Sequence, residues 1–149
     1  MIERIRVITR GRERLEEITS RVNDILGRLK VEEGVCHLYV PHTTAGLIVN
    51  ENADPDVERD ILERLEALAP RSGRYHHTEG NAHAHVKASL VGHSLTIPIE
   101  GGKLALGHWQ GVFLADFDGP RDRTVIVTAI PTAKVPTEEI IPEEFRRRL

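Results

Sequence analysis

Aromatic residues are scarce, with Phe, Trp and Tyr making up 4% of the chain, which leaves few flat faces for unpaired bases to stack on. Charge of a single sign is lacking too: 20 Lys and Arg stand against 23 Asp and Glu, a formal net charge of −3. No basic stripe of the kind that tracks a phosphodiester backbone is present, so nucleic acid is not expected as a partner. The single cysteine, Cys36, can form no internal disulfide. It lies in the apolar run VCHLYV and is expected to be a buried thiol in a reducing compartment. There is no apolar run of about 18 residues, as a membrane helix requires. The opening MIERIRVITRGRER is charged where a secretory leader would be apolar. A cytoplasmic protein without a membrane partner is the expectation. Also missing are the phosphate loop GxxxxGK[ST], the HExxH pair, the GxSxG elbow and any CxxC.

The 149 residues present suffice for one domain with a real core. IERIRVIT, residues 2 to 9, reads as a strand. Leu15, Ile18, Val22, Ile25, Leu26 and Leu29 follow at three- and four-residue spacing, which predicts an amphipathic helix. VCHLYV and GLIVNE read as strands broken by Pro41, so that His42, Thr43 and Thr44 fall at the junction. A second helix is announced by Asp54 as N-cap, Pro55 at its first position and Asp56 and Glu58 in its first turn. Val57, Ile61, Leu62, Leu65 and Leu68 give it an apolar face, and Pro70 ends it. SLTIPI, KLALGHWQGVFLADF and DRTVIVTAI read as strands, joined by turns at Glu100-Gly101-Gly102-Lys103 and Asp118-Gly119-Pro120-Arg121. The pattern predicts a single α+β domain over 1–149, with two main helices and a largely antiparallel sheet system. Its tail, 131–149, is expected to lie on the surface or against a partner.

GRYHHTEGNAHAHVKASLVGHS, residues 73 to 94, holds five of the eight histidines. The plain reading is a polar surface loop; the functional one is a ligand site, which needs fixed ring directions rather than mere number. AHAHVKASLVG permits either strand or helix, with alanine favouring the helix. Ring placement along an extended chain leaves His42, His77 and His85 as the leading histidines, with His83 and His108 behind them. PHTTAG sets an imidazole beside the hydroxyls of Thr43 and Thr44, a grouping able to meet an anion or simply to satisfy local backbone. Lys87 and Ser89 share a face with His85 if the segment is extended and can then hold a phosphate, with Arg121 of DGPRDR nearby. The alternatives are a solvated lysine and a polar turn. Gln110 is either a core amide or a ligand contact, and its neighbour Trp109 is by default a packing residue.

HTTAGLIVNENADPDV, YHHTEGNAHAHVKASLVGHSLTIPI and LALGHWQGVFLADFDGPR, in that order, closely resemble the YjbQ-like family. The resemblance runs from about residue 4 to residue 130 of an uncharacterised family whose members are often labelled secondary thiamine-phosphate synthase. It implies a compact α+β fold built round a β-sandwich, assembled as a homotrimer, with sites near subunit boundaries. The family's motif residues fall on His42, Thr43, Thr44, Asn50, Glu51, Asp54, Tyr75, His77, Glu79, Asn81, His85 and Lys87. Two positions depart from the usual pattern: His108 stands where threonine is usual, and Asp116 where glutamate is.

The resemblance further implies that His42, His77 and His85 form a three-histidine site for a divalent ion, zinc by its ligand set and magnesium as the alternative. With it go an enzyme whose small phosphorylated substrate is held by Thr43, Thr44, Asn50, Lys87, Gln110 and Arg121, and in which Glu51 or Glu79 acts as acid or base. Thiamine-phosphate synthesis releases pyrophosphate and calls for oxygen-bound magnesium, to which imidazoles are ill suited. A zinc-dependent hydrolase of a small phosphate or amide and a non-catalytic trimer binding a metal or metabolite are the rival expectations.

Overall fold

A computed structural model describes residues 1–133 of the chain. Its elements run β1 (Ile2–Ile8), β2 (Arg14–Glu17), α1 (Thr19–Leu29), β3 (Gly34–Tyr39), β4 (Ala45–Glu51), α2 (Pro55–Leu68), α3 (Ala82–Val91), β5 (Ser94–Glu100), β6 (Lys103–Leu104), β7 (Gln110–Asp116) and β8 (Asp122–Pro131). One sheet has five strands in the order β1-β8-β3-β5-β6, the other three in the order β2-β7-β4, and every pairing is antiparallel. The α+β class and antiparallel sheets are as the strand patterns predict.

The inward alternation of β8, where Arg123, Val125, Val127 and Ala129 are buried, turns one face of the large sheet to the core. β7 is covered on both sides. Val112 and Leu114 face the large sheet and α1, while Phe113, Ala115 and Phe117 join a second core with Ala84 and Ala88 of α3. Ile61, Leu62 and Leu65 of α2 pack on that second core from outside. The layers are therefore large sheet, small sheet, then α2 and α3. The Cys36 thiol lies in the first core, where burial pushes its pKa up to about 11.

Three sequence expectations are corrected. Leu15 is not helical: it pairs with Ala115 as part of edge strand β2, and the helix begins only at Thr19. Its spacing to Ile18 joins a strand residue to the helix N-cap, so the periodicity there was accidental. The AHAHVKASLV stretch, open to strand or helix with alanine favouring the helix, is helix α3, so the described residues hold three helices. KLALGHWQGVFLADF is broken at residues 105–109, where Gly107 donates its N–H to the side-chain oxygen of Gln110. Asp54 caps α2 as predicted, accepting from the Asp56 N–H at 2.9 Å. Leu68, assigned to its apolar face, is 71% exposed. The expected surface tail lies almost wholly outside the described residues, which end two residues after β8.

Candidate functional site

At one end of the small sheet the β3–β4 corner, the β7–β8 turn and the start of α3 enclose a cleft of about 380 Å³. His42, Thr43, Thr44, Glu79, Asn81, His85, Asp118, Arg121 and Arg123 line it together with Pro41. Its floor is an ion pair out of contact with water. Arg123, 4% exposed, sends Nη2 and Nε to the two oxygens of Asp116, at 2.7 and 3.1 Å. Burial by itself would raise the Asp116 pKa, but the hydrogen bonds from Arg123, Thr9 and the Asp118 backbone outweigh it and hold the carboxyl below its usual range. Arg123 also donates to the Thr44 hydroxyl at 2.8 Å, and Thr9 to Asp116 at 2.6 Å. Thr9 in turn accepts the Arg121 N–H, so the buried pair sets the height of the β7–β8 turn.

Arg121 stands on that turn with its side chain 54% exposed. Its Nε donates to the Asp118 carbonyl and its Nη2 to the Asp118 carboxylate, which aims the guanidinium while leaving Nη1 for a ligand. His42 accepts the Thr124 N–H on Nε2 at 2.9 Å. Its pKa is lowered, by burial first and then by the Arg123 charge. A neutral ring whose Nε2 is an acceptor carries its proton on Nδ1, and that N–H is a donor to an anion.

Helix α3 brings the remaining side chains. It sits close on β4 because Gly46 has no Cβ to meet the Gly92 carbonyl, to which Leu47 donates at 3.1 Å. Its N-cap residue, Asn81, does not cap; the side chain donates to Asp118 at 3.0 Å and meets His77 Nε2 at 3.0 Å. His77 and His85 lie edge to face with ring centroids 5.3 Å apart, and His77 Nε2 is 3.6 Å from the exposed Glu79 carboxylate. His42 and His85 thus share the cleft, with His77 behind His85. Among the described residues, however, no three ligand atoms from His42, His77 and His85 lie within 4.8 Å of one another.

Lys87 is elsewhere. The helix turns it away from the cleft into the space between α3, α2 and the β1–β2 loop, where it is fully buried. Its Nζ is 2.5 Å from Glu13 and 2.5 Å from Glu66, with His83 Nδ1 at 3.3 Å. The phosphate contact expected from an extended segment is therefore replaced by an internal one. Burial lowers the His83 pKa, with Lys87 and Arg71 adding to the effect. Glu13, Glu66 and His83 could together hold a cation, but the lysine ammonium already stands among them.

Asn50, Glu51 and Gln110 are at the opposite end of the small sheet. Ala45 pairs with Asp116 beside the cleft, whereas Glu51 pairs with Gln110 six residues along β4, about 20 Å away at ~3.3 Å per residue. Trp109, 59% exposed, and His108, edge-on to it at 4.8 Å, sit at that same far end. The unusual His108 thus lies apart from the other candidate histidines. Neither Asp116, singled out in the sequence only as a departure from the usual glutamate, nor Arg123 is among the site residues expected from the sequence, yet together they form the floor of the cleft. Their signal is register: each is a charged residue at an inward position of an otherwise apolar strand, in GVFLADF and in DRTVIVTAI.

Residues 3–132 match the family described as UPF0047 protein YjbQ-like. A UPF0047 protein of Methanocaldococcus jannaschii is 48% identical over 87% of this chain and 94% of its own length. The Bacillus subtilis UPF0047 protein YugU is 41% identical over 85% of this chain and 97% of its own. Among solved structures, an uncharacterised family member from Clostridium acetobutylicum superposes with a TM-score of 0.84 at 48% identity, covering 86% of this chain and 99% of that one. A protein of unknown function from Sulfolobus solfataricus gives 0.85 at 32% identity, covering 89% and 97%.

Proposed function

The chain belongs to the UPF0047 YjbQ-like family, and from that premise we propose that it is an enzyme whose small phosphorylated substrate binds in the Arg121–His42–His85 cleft. The observation that carries this reading is the donor set. A half-exposed guanidinium, an imidazole Nδ1–H and a threonine hydroxyl border one cavity, above a buried Arg123–Asp116 pair that fixes two of the three walls. Arg121 offers its free nitrogen to the phosphate, His42 donates without changing charge, and His85 is the ring placed to give or take a proton. Glu79 is the carboxylate that the earlier acid–base assignment retains, because Glu51 is at the far end of the sheet.

Oxygen ligands are favoured over a three-imidazole zinc site in this reading, because among the described residues the ligand atoms of His42, His77 and His85 do not all lie within 4.8 Å of one another. Glu79 and Asp118 at the cleft wall suit the oxygen preference of magnesium, which would accompany substrate phosphates and neutralise them. Thiamine-phosphate synthesis and phosphate-ester hydrolysis both fall within this reading, and turnover with or without a second substrate separates them. A homotrimer is part of the proposal, supported by Trp109, a large apolar side chain 59% exposed beside Asn50, Glu51 and Gln110. The test is calorimetric titration with inorganic phosphate, with and without magnesium. Binding that disappears in Arg121→Ala at unchanged thermal stability supports the proposal; binding that survives the substitution sinks it.

A further inference from the structure

Five of the eight histidines, His42, His76, His77, His85 and His93, border three depressions that share walls, of which the phosphate cleft is only the middle one. Beyond His85 lies a bay of about 330 Å³ whose other walls are Tyr75, His76, His77, Ala82 and Val86. Beyond His42 lies a bay of about 440 Å³, walled also by Tyr39, Pro41, Thr43 and His93. His85 belongs both to the first bay and to the cleft; Pro41, His42 and Thr43 belong both to the second bay and to the cleft.

The chemistry of the walls changes sharply from centre to sides. The cleft carries Glu79, Asp118, Arg121 and Arg123, whereas among the described residues neither bay has a Lys, Arg, Asp or Glu in its wall. What the bays have instead is rings. Tyr75 is pinned by its hydroxyl, which donates to the Pro70 carbonyl at 2.7 Å, and His77 and His85 brace each other edge to face. Tyr39, 43% exposed on β3, faces the other bay. Flat side chains held in place favour flat apolar partners, by area buried and by ring–ring geometry.

A phosphomonoester has one substituent and would leave one bay unused. From the two ring-walled bays flanking a charged centre, we infer that the substrate class is a phosphodiester with a flat ring on each side, one seated by Tyr75 and His77 and the other by Tyr39 and His93. The inference rests on the phosphate reading of the cleft and specifies what that phosphate bears.

Calorimetric titration of the full chain with inorganic phosphate, 4-nitrophenyl phosphate and bis(4-nitrophenyl) phosphate tests it. Charge alone ranks the diester below the monoester, because it brings fewer negative charges to Arg121. The bays reverse that order, and the diester binds about tenfold more tightly than the monoester. Tyr39→Ser and Tyr75→Ser each bring the diester down to the monoester's affinity and leave inorganic phosphate unchanged. His76→Ala, on an exposed wall residue, gives a smaller loss of the same kind should Tyr75→Ser disturb its loop. A diester no tighter than the monoester, or an advantage untouched by these substitutions, overturns the inference while the phosphate cleft stands. Failure of all three ligands to bind overturns the cleft reading, and the inference with it.

Discussion

Lys87 and Arg121 look alike in the sequence, two cations near histidines and each a fair candidate for a phosphate. In the folded chain they have opposite tasks. Lys87 is fully buried between two carboxylates, Glu13 and Glu66, whereas Arg121 keeps half its side chain in solvent against one carboxylate, Asp118. The first ties helix α3 to α2 and the β1–β2 loop; the second is held out over a cavity. A cation already neutralised twice has little left for a ligand, while one neutralised once and aimed by its neighbour is prepared for one. Residue type and spacing do not separate the two cases; the number of opposite charges within reach does.

The sharpest way to break the comparison is at its buried extreme, under the cleft. Arg123→Leu leaves Asp116, 0% exposed, without its counter-charge and is expected to cost about 3–5 kcal/mol. Urea unfolding would show this as a lower midpoint at unchanged slope, and a midpoint within error of the parent would mean that water reaches Asp116. Lys87→Met comes next, at about 3 kcal/mol, because Glu66 is partly solvated and the burden falls chiefly on Glu13. The double variant Glu13→Gln with Lys87→Met should recover part of that loss, and strict additivity would deny that the two side chains are coupled.

Acid gives a smaller and graded effect. His42 and His83 both have pKa values lowered from 6.5. Each is bound neutral in the fold and protonates more readily once unfolded, so its contribution is complete above pH 6.5 and is lost as the pH falls through the lowered folded value. Asp116 and Glu66, also lowered, behave in the same sense from 3.8 and 4.5 downward. Urea midpoints should therefore decline from pH 7.5 to 5.5 and again below about 4. His83→Gln should flatten the first decline; an unaltered slope would place the effect elsewhere in the chain.

Much of the fold was legible in the sequence because local rules and packing agree there. The alternation in DRTVIVTAI, the Asp54-Pro55 helix start and the Pro41 break all have one favourable outcome. Leu15 was misread because a four-residue edge strand carries almost no period of its own, and its pairing with β7 is decided by a partner about 100 residues away. The site was legible only in part. His42, Thr43, Thr44, Glu79, His85 and Arg121 do converge, yet Asn50, Glu51 and Gln110 lie across the sheet, and Lys87 faces inward. Motif order says which residues belong to a pattern; the register of β4 on β7 and the turn of α3 decide which of them meet.

Arg121 supplies the last and smallest test on stability, and the one that separates the two cations most cleanly. Its pair with Asp118 is exposed, of the kind worth about 0–1 kcal/mol, so Arg121→Ala should change the unfolding free energy by no more than about 0.5 kcal/mol. Phosphate affinity should nevertheless fall at least about tenfold, since the guanidinium that Asp118 aims into the cleft is removed. Arg121→Lys distinguishes charge from shape: a lysine keeps the charge but lacks the fork that lets Arg121 hold Asp118 and a ligand together. Weak binding in Arg121→Lys with strong binding in the parent would show that the turn aims the guanidinium; full binding in Arg121→Lys would show that a bare positive charge suffices and that the contact with Asp118 is incidental.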